Sequence, residues 1–199
     1  MSDTSTRAAD PAQAVALAQL IADAFHDLPV CQWLVPDPDE RRRVLPADFH
    51  ILVRHALEHG TVVTSGGLDA VAVWYSGAPD AVPDIPDYDA RVARACDPYT
   101  ERFQLLDEAM HAAHPDGPPH EHLAFLAVRP GAQGRGLGSA LLRRRHRVLD
   151  ERGVPAYLEA SSPRSRQLYL RHGYLDIGEP FATKGGPDPT MWPMWRDPA

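Results

Sequence analysis

The 199 residues predict a single α/β domain spanning 1–199, built on a mixed, mostly antiparallel sheet with helices on both faces. Three observations predict it. An apolar run, Leu123 to Val128, passes through a glycine-rich turn into a helical segment. A strand, a helix, a glycine stop and a further strand follow over 156–177. Ahead of both, two helical stripes and a hairpin succeed one another with no internal repeat.

Ser5 to Ala8 is short and weakly β, which leaves the amino-terminal edge of the sheet undefined. Ala12 to Phe25 carries Val15, Ala18, Ile21, Ala22 and Phe25 at helical spacing. Pro36-Asp-Pro-Asp39 then starts a second helix, which runs to Glu58 with acids in its first turn. Thr61 to Thr64 and Ala70 to Tyr75, divided by Gly66-Gly67, read as a hairpin. A Pro- and Asp-rich linker occupies Pro79 to Pro86, and Arg91 to His114 forms one or two helices broken near Asp97-Pro98. After a loop from His114 to Pro119 come a strand at 121–128, a helix at 136–151 and a strand at 156–160. A helix at 164–172, a strand at 174–177 and a terminal strand near Thr190 to Trp195 complete the order.

Composition narrows the function. With 44% hydrophobic and 24% charged residues the chain is ordinary globular material, long enough to bury a sizeable core. A net charge of −7 repels nucleic acid, and the one basic run, Arg143-Arg-Arg-His-Arg147, winds around a helix instead of forming a stripe. No apolar stretch reaches the length of a membrane span, and Met1-Ser-Asp-Thr-Ser-Thr6 lacks the basic and apolar regions of a signal peptide. A cytoplasmic monomer or homodimer, without nucleic-acid or membrane partners, is expected. Cys31 and Cys96 are too few for a disulfide scaffold and read as reduced thiols. The histidines form no H-E-x-x-H pair, and His111 with His114 reads as an exposed pair. No metal is assigned.

The glycine-rich turn carries the chemistry. Arg129-Pro130 ends the strand, and Gly134, Gly136 and Gly138 let the chain bend without side chains between backbone and ligand. The helix that follows offers unpaired N–H groups to an anion. The spacing fits neither the dinucleotide fingerprint G-x-G-x-x-G nor the phosphate loop G-x-x-x-x-G-K-[ST]. Gln133-Gly-Arg-Gly-Leu-Gly138 resembles instead the Q/R-x-x-G-x-G/A signature of the GCN5-related N-acetyltransferase (GNAT) family, with Gln133, Gly136 and Gly138 at the signature positions. The block from Ala156 to Tyr174 resembles the same family's strand, Tyr-bearing helix and Gly-aromatic pair. Ala70 to Trp74, Gln133 to Ala140 and Gly153 to Ala160 with Pro163-Arg164 look most like its puromycin N-acetyltransferase-like actinobacterial members. The resemblance covers roughly 61–177.

The resemblance implies the GNAT fold, with a splay between the two central strands, and acetyl-coenzyme A as co-substrate. It makes 121–177 the cofactor-binding core and 1–60 a helical acceptor-side region. In that core Gln133, Gly134, Arg135, Gly136, Leu137, Gly138 and Ser139 would hold the pyrophosphate. Leu126, Ala127 and Val128 would pair with the pantetheine arm, and one or two arginines of the basic run would approach the 3′-phosphate. Ser162, where many relatives have Asn, and Ser165 would add contacts, although a Ser at 162 also suits a helix cap.

Acetyl transfer from a thioester to an amine requires deprotonation of the amine, stabilisation of the carbonyl oxygen and protonation of sulfur. The resemblance gives the last task to Tyr169 and places a backbone N–H near Val128 for the second. Glu159, on the same strand face as Tyr157, is the expected base, with His26 and His55 as alternatives. Phe25, Trp33, Trp74 and Tyr75 lie in segments that border the acceptor pocket in relatives, favouring a flat or apolar amine; Asp27 or Glu159 would attract its positive charge. The expected function is acetylation of a primary amine of a small molecule, an antibiotic or aminonucleoside among them. A non-catalytic acyl-CoA-binding domain and a protein amino-group acetyltransferase are the alternatives.

Overall fold

The structure is a computed structural model, which describes residues 6–65, 67–76, 82–187 and 191–199. Ser5, Gly66, Pro79 to Ala81 and Thr190, which mark ends of expected elements, lie outside them. The strands are β1 (Thr6–Ala8), β2 (Thr61–Ser65), β3 (Ala70–Ser76), β4 (Glu121–Val128), β5 (Ala156–Ala160), β6 (Leu175–Asp176) and β7 (Trp192–Arg196). The helices are α1 (Ala14–Phe25), α2 (Pro29–Leu34), α3 (Pro38–His59), α4 (Tyr88–Cys96), α5 (Thr100–Ala113), α6 (Leu137–Arg152) and α7 (Pro163–Leu170). The undefined first strand is present as β1, because three residues suffice to pair with β2 at the sheet edge. Helix α2 was not expected: six residues are too few to show a periodicity.

The sheet runs β1-β2-β3-β4-β5-β7-β6, antiparallel throughout except for β4 with β5. That parallel pair is joined at only two positions, Glu121 with Ala156 and His122 with Tyr157. Beyond them β4 continues to Val128 beside β3 alone, so the sheet splays at its centre. Side chains of β3 alternate between two cores. Val71 and Val73 pack with α1 to α5, and Ala70, Ala72 and Trp74 pack with α6 and α7. A one-residue bulge in β4 at Ala124 shifts the register between Val73 and Trp74. It puts His122 upstream and Phe125 with Ala127 downstream on the α1–α5 side, opposite Leu123, Leu126 and Val128.

Under α3 the buried Cys96 thiol donates to Asp48 Oδ1 at 3.7 Å, and nearer the surface the Tyr88 hydroxyl donates to Asp107 Oδ2 at 2.9 Å. Both cysteines are buried free thiols, and burial pushes Cys31 up to about 12. Burial, aided by the charge of Asp107, also pushes the Asp48 carboxyl up to about 7. The fold therefore keeps a proton that the unfolded chain releases near pH 4, and stability falls as pH rises between those values. Asp48→Asn is expected to equal the parent at pH 4 and to exceed it at pH 8 by up to about 4 kcal/mol. Denaturant titration at the two pH values measures the difference.

Candidate active site

The phase of the β3–β4 ladder decides which backbone groups face the splay. Arg129 N–H donates to Asp69 O at 2.8 Å, and antiparallel pairs alternate between hydrogen-bonded and open. Val71 with Ala127 is therefore a bonded pair, and Ala70 with Val128 and Ala72 with Leu126 are open ones. Leu126 and Val128 turn their amides and carbonyls toward β5, which has already diverged. The Gln133 side chain donates to the Val128 carbonyl at 3.3 Å, tying the signature glutamine to the strand. Ala127 is a correction to the expected set, because its backbone is held by Val71 on β3 and does not reach the splay.

Beyond the strand end, Gln133 to Gly136 are exposed. Gly136 precedes α6 with φ of 80°, a left-handed conformation that favours glycine, and no side chain caps the helix there. The first intrahelical bond runs from Ala140 N–H to Gly136 O at 2.9 Å, which leaves the amides of Leu137, Gly138 and Ser139 ahead of it. No atom lies within 4 Å of where a Cβ on Gly134 or Gly136 would stand. The turn is thus an open cradle of N–H groups at a helix amino terminus. Arg135 donates to Gly131 O at 3.0 Å within the turn, and Ser139 Oγ is 2.9 Å from His172 Nε2.

Ser162 and Ser165 form a capping box on α7: Ser165 N–H donates to Ser162 Oγ and Ser162 N–H to Ser165 Oγ, both at 3.1 Å. Their hydroxyls serve the helix and each other first. Of the basic run, Arg145 pairs with Glu121 at 2.6 Å, Arg144 donates to the Thr6 carbonyl, and His146 bonds the Tyr174 hydroxyl at 3.1 Å. Arg143 and Arg147 have no ion pair among the described residues.

Tyr169, on α7, is 7% exposed and meets Tyr174 edge-on at 5.7 Å. Burial raises its phenol, and the charge of Glu159 raises it further, so the hydroxyl stays protonated. No hydrogen bond to that hydroxyl is found among the described residues. Glu159 has a side chain only 2% exposed, and its Oε2 lies 2.8 Å from His122 Nε2. Burial pushes its carboxyl up, but His122 outweighs this by charge and hydrogen bond, so it remains ionised below the usual carboxylate range. Its Oε1 is buried with no partner. The Tyr157 hydroxyl is close enough to stabilise this carboxylate, but its one proton goes to Ala113 O at 3.2 Å.

His122 extends into a cluster that sequence spacing did not reveal. His114 Nε2 is 3.1 Å from His120 Nε2, and the His114 ring stands 5.2 Å from that of His122. His114 is half-buried, which corrects the exposed pair expected with His111. Burial, with His122 and His120 beside it, pulls its imidazole down to about 4. The alternative bases are engaged elsewhere: His26 contacts Asp27 at 3.0 Å and Pro38 O at 3.3 Å, and His55 Nε2 meets Pro83 O at 2.9 Å. Across β5 and β7, Glu159 stands opposite Pro193. Pro193 lines a groove of about 530 Å³ with Ala109, Ala112, Ala113, Phe181 and Ala182, and Glu179 lies at its edge. The size is that of a small-molecule site.

A model of the acetyltransferase (GNAT) family matches residues 21–174, more than half of the sequence. The chain belongs to this family. An uncharacterized N-acetyltransferase of Schizosaccharomyces pombe is 22% identical over 193 residues, covering 91% of this chain and 78% of that protein. A mycothiol acetyltransferase of Beutenbergia cavernae is 47% identical over 55 residues, which are 26% of this chain and 18% of that enzyme. A solved structure described as histone acetyltransferase HPA2 and related acetyltransferase, from Corynebacterium glutamicum, superposes with a TM-score of 0.73 at 26% identity, covering 100% of this chain and 98% of the other.

The GNAT architecture also sorts the expected acceptor-side aromatics. Trp74 is a correction: it is 0% exposed on the α6 side of the sheet, edge-on to His146, where no acceptor reaches. Its neighbour Tyr75 is on the α3 side, its hydroxyl donating to Leu52 O at 2.9 Å. Phe25 joins Phe49 and Phe125 in an aromatic trio with centroids 5.3 to 6.4 Å apart. Trp33 lies under Arg102, whose guanidinium is 5.7 Å from the ring centre. No helix among the described residues is long and apolar enough to cross a membrane.

Proposed function

We propose that this GNAT-family chain transfers an acetyl group from acetyl-coenzyme A to a primary amine on a small molecule with an apolar portion. The observation that carries the reading is an ionised Glu159 whose charge reaches the buried, protonated Tyr169; the open amide turn and the groove lined by Pro193, the β7 partner of Glu159, support it. The turn from Gln133 to Ser139 fits a pyrophosphate, since its amides are uncapped and nothing fills the space above Gly134 and Gly136. Leu126 and Val128 offer backbone groups to the amide-bearing arm as a neighbouring strand would.

In this reading Glu159, directly or through His122, takes a proton from the incoming ammonium and frees its lone pair. Val128 N–H donates to the carbonyl oxygen as the N–C bond forms and charge gathers there. Tyr169 gives its proton to sulfur as the C–S bond breaks, so that a thiol leaves, and the second proton of the attacking nitrogen passes to the Tyr169 phenolate, directly or through water, as the amide forms. Ala112, Phe181 and Pro193 favour an apolar body on the acceptor, and Glu179 a positive charge. Aminonucleosides are the acceptors to try first, on the likeness of Ala70 to Trp74, Gln133 to Ala140 and Gly153 to Ala160 to the puromycin N-acetyltransferase-like members.

A thiol-release assay over a panel of amines tests the proposal. Turnover with apolar primary amines is expected; tight binding of acetyl-coenzyme A with no release on any amine would leave the non-catalytic reading. Gly136→Asp is expected to weaken acetyl-coenzyme A at least tenfold by calorimetry, about 1.4 kcal/mol, by placing an anion where the pyrophosphate sits. Gly136→Ala, which shares the cost of a side chain at positive φ, separates backbone strain from charge; equal losses in both would deny the turn its anion.

A further inference from the structure

We propose that His114, His122 and Glu159 form a binding site for a divalent transition-metal ion of the zinc class. The three come from the end of α5, from β4 and from β5, and one donor atom of each lies within 4.8 Å of the others. Glu159 is nearly fully buried and keeps Oε1 without a partner, so a carboxylate lone pair is present where the imidazoles converge.

The surrounding hydrogen bonds orient the ring that must bind. His120 Nδ1 lies 3.0 Å from Pro118 O, which can only accept, so that nitrogen carries a proton. In the neutral ring His120 Nε2 then accepts, and its partner at 3.1 Å, His114 Nε2, is the donor. This leaves Nδ1 as the lone pair of His114. A chain from ligand imidazole to second imidazole to backbone carbonyl is the outer support that fixes tautomer and ring angle in metal sites. On binding, His122 gives up the proton it shares with Glu159 Oε2 at 2.8 Å, and the donors draw in to about 2.0–2.2 Å from the ion. Two imidazoles and one carboxylate leave a fourth position open, and the two borderline imidazole donors favour zinc, cobalt, nickel or copper over magnesium or calcium.

Metal binding stands apart from the acetyltransferase reading; the further consequence, that the ion occupies the base and blocks turnover, rests on it. The test titrates Co²⁺ into the full chain and follows its ligand-field absorption, with calorimetry for stoichiometry. One ion per chain is expected, with affinity reduced at least tenfold in His114→Ala and in Glu159→Gln and unchanged in the exposed-site control His111→Ala. His114→Gln and circular dichroism of each variant guard against loss through misfolding. Absence of saturable binding, or binding that survives in folded His114 and Glu159 variants, overturns the site. Zn²⁺ is expected to abolish thiol release over the same concentration range, reversibly with chelator; Co²⁺ binding without Zn²⁺ inhibition would keep the site and remove Glu159 from the chemistry.

Discussion

Replacing Tyr169 by Phe is expected to lower kcat on a good acceptor about 10²-fold or more, with little change in affinity for acetyl-coenzyme A. The substitution keeps the ring, its edge contact with Tyr174 and its place between α7 and the sheet, and removes only the hydroxyl. That hydroxyl has no partner among the described residues, so no structural hydrogen bond is lost with it. Burial holds it protonated across the working pH range, which suits a donor to sulfur and excludes a base. Steady-state kinetics beside a thermal melt make the measurement. Unchanged turnover would reduce Tyr169 to a packing residue.

Glu159→Gln is expected to cost at least as much in kcat/KM, about 10² to 10³-fold, and to change its pH dependence. Gln matches the carboxylate in volume and can still hydrogen-bond His122, but it holds no charge and takes no proton. In the parent, kcat/KM should rise with pH until the carboxylate is fully ionised, since only then can it accept a proton from the amine. His122 holds that carboxyl below the usual range despite burial, so the limb should lie on the acid side. The variant should show a flattened limb and a low plateau. A profile identical to the parent's would transfer the task to water or to another group.

What was legible in the sequence was local in the chain. The turn at Gln133 to Ser139 and the block from Ala156 to Tyr174 are each contained in about twenty residues, so each by itself carries the resemblance to the family that the match over 21–174 supports. The histidine cluster was not, because His114, His122 and Glu159 arrive from three elements and no helical spacing links them. That His122 neighbours the strand of Glu159 could be found only through the parallel pairing of His122 with Tyr157. Trp74 failed for a related reason. Its segment does pack on α1 and α3, but alternation sends that one side chain to the other core, beneath α6. Ala127 likewise depends on the phase of a ladder, which two sequences of equal composition could set differently.

The extra residue at Ala124 gives β4 one position more than β3 can pair. Because it offsets the odd–even count, His122 and Phe125 share a face although three positions separate them, and Leu126 and Val128 are the residues whose backbones look into the splay. Substituting Ala124 by another small residue leaves that parity untouched. Deleting it leaves that parity untouched as well: Leu123 still meets Trp74 and Phe125 still meets Val73, and what is lost is the local bend and added twist of the bulge. A gap at this position in a related chain therefore keeps the same faces and straightens the strand between His122 and the splay.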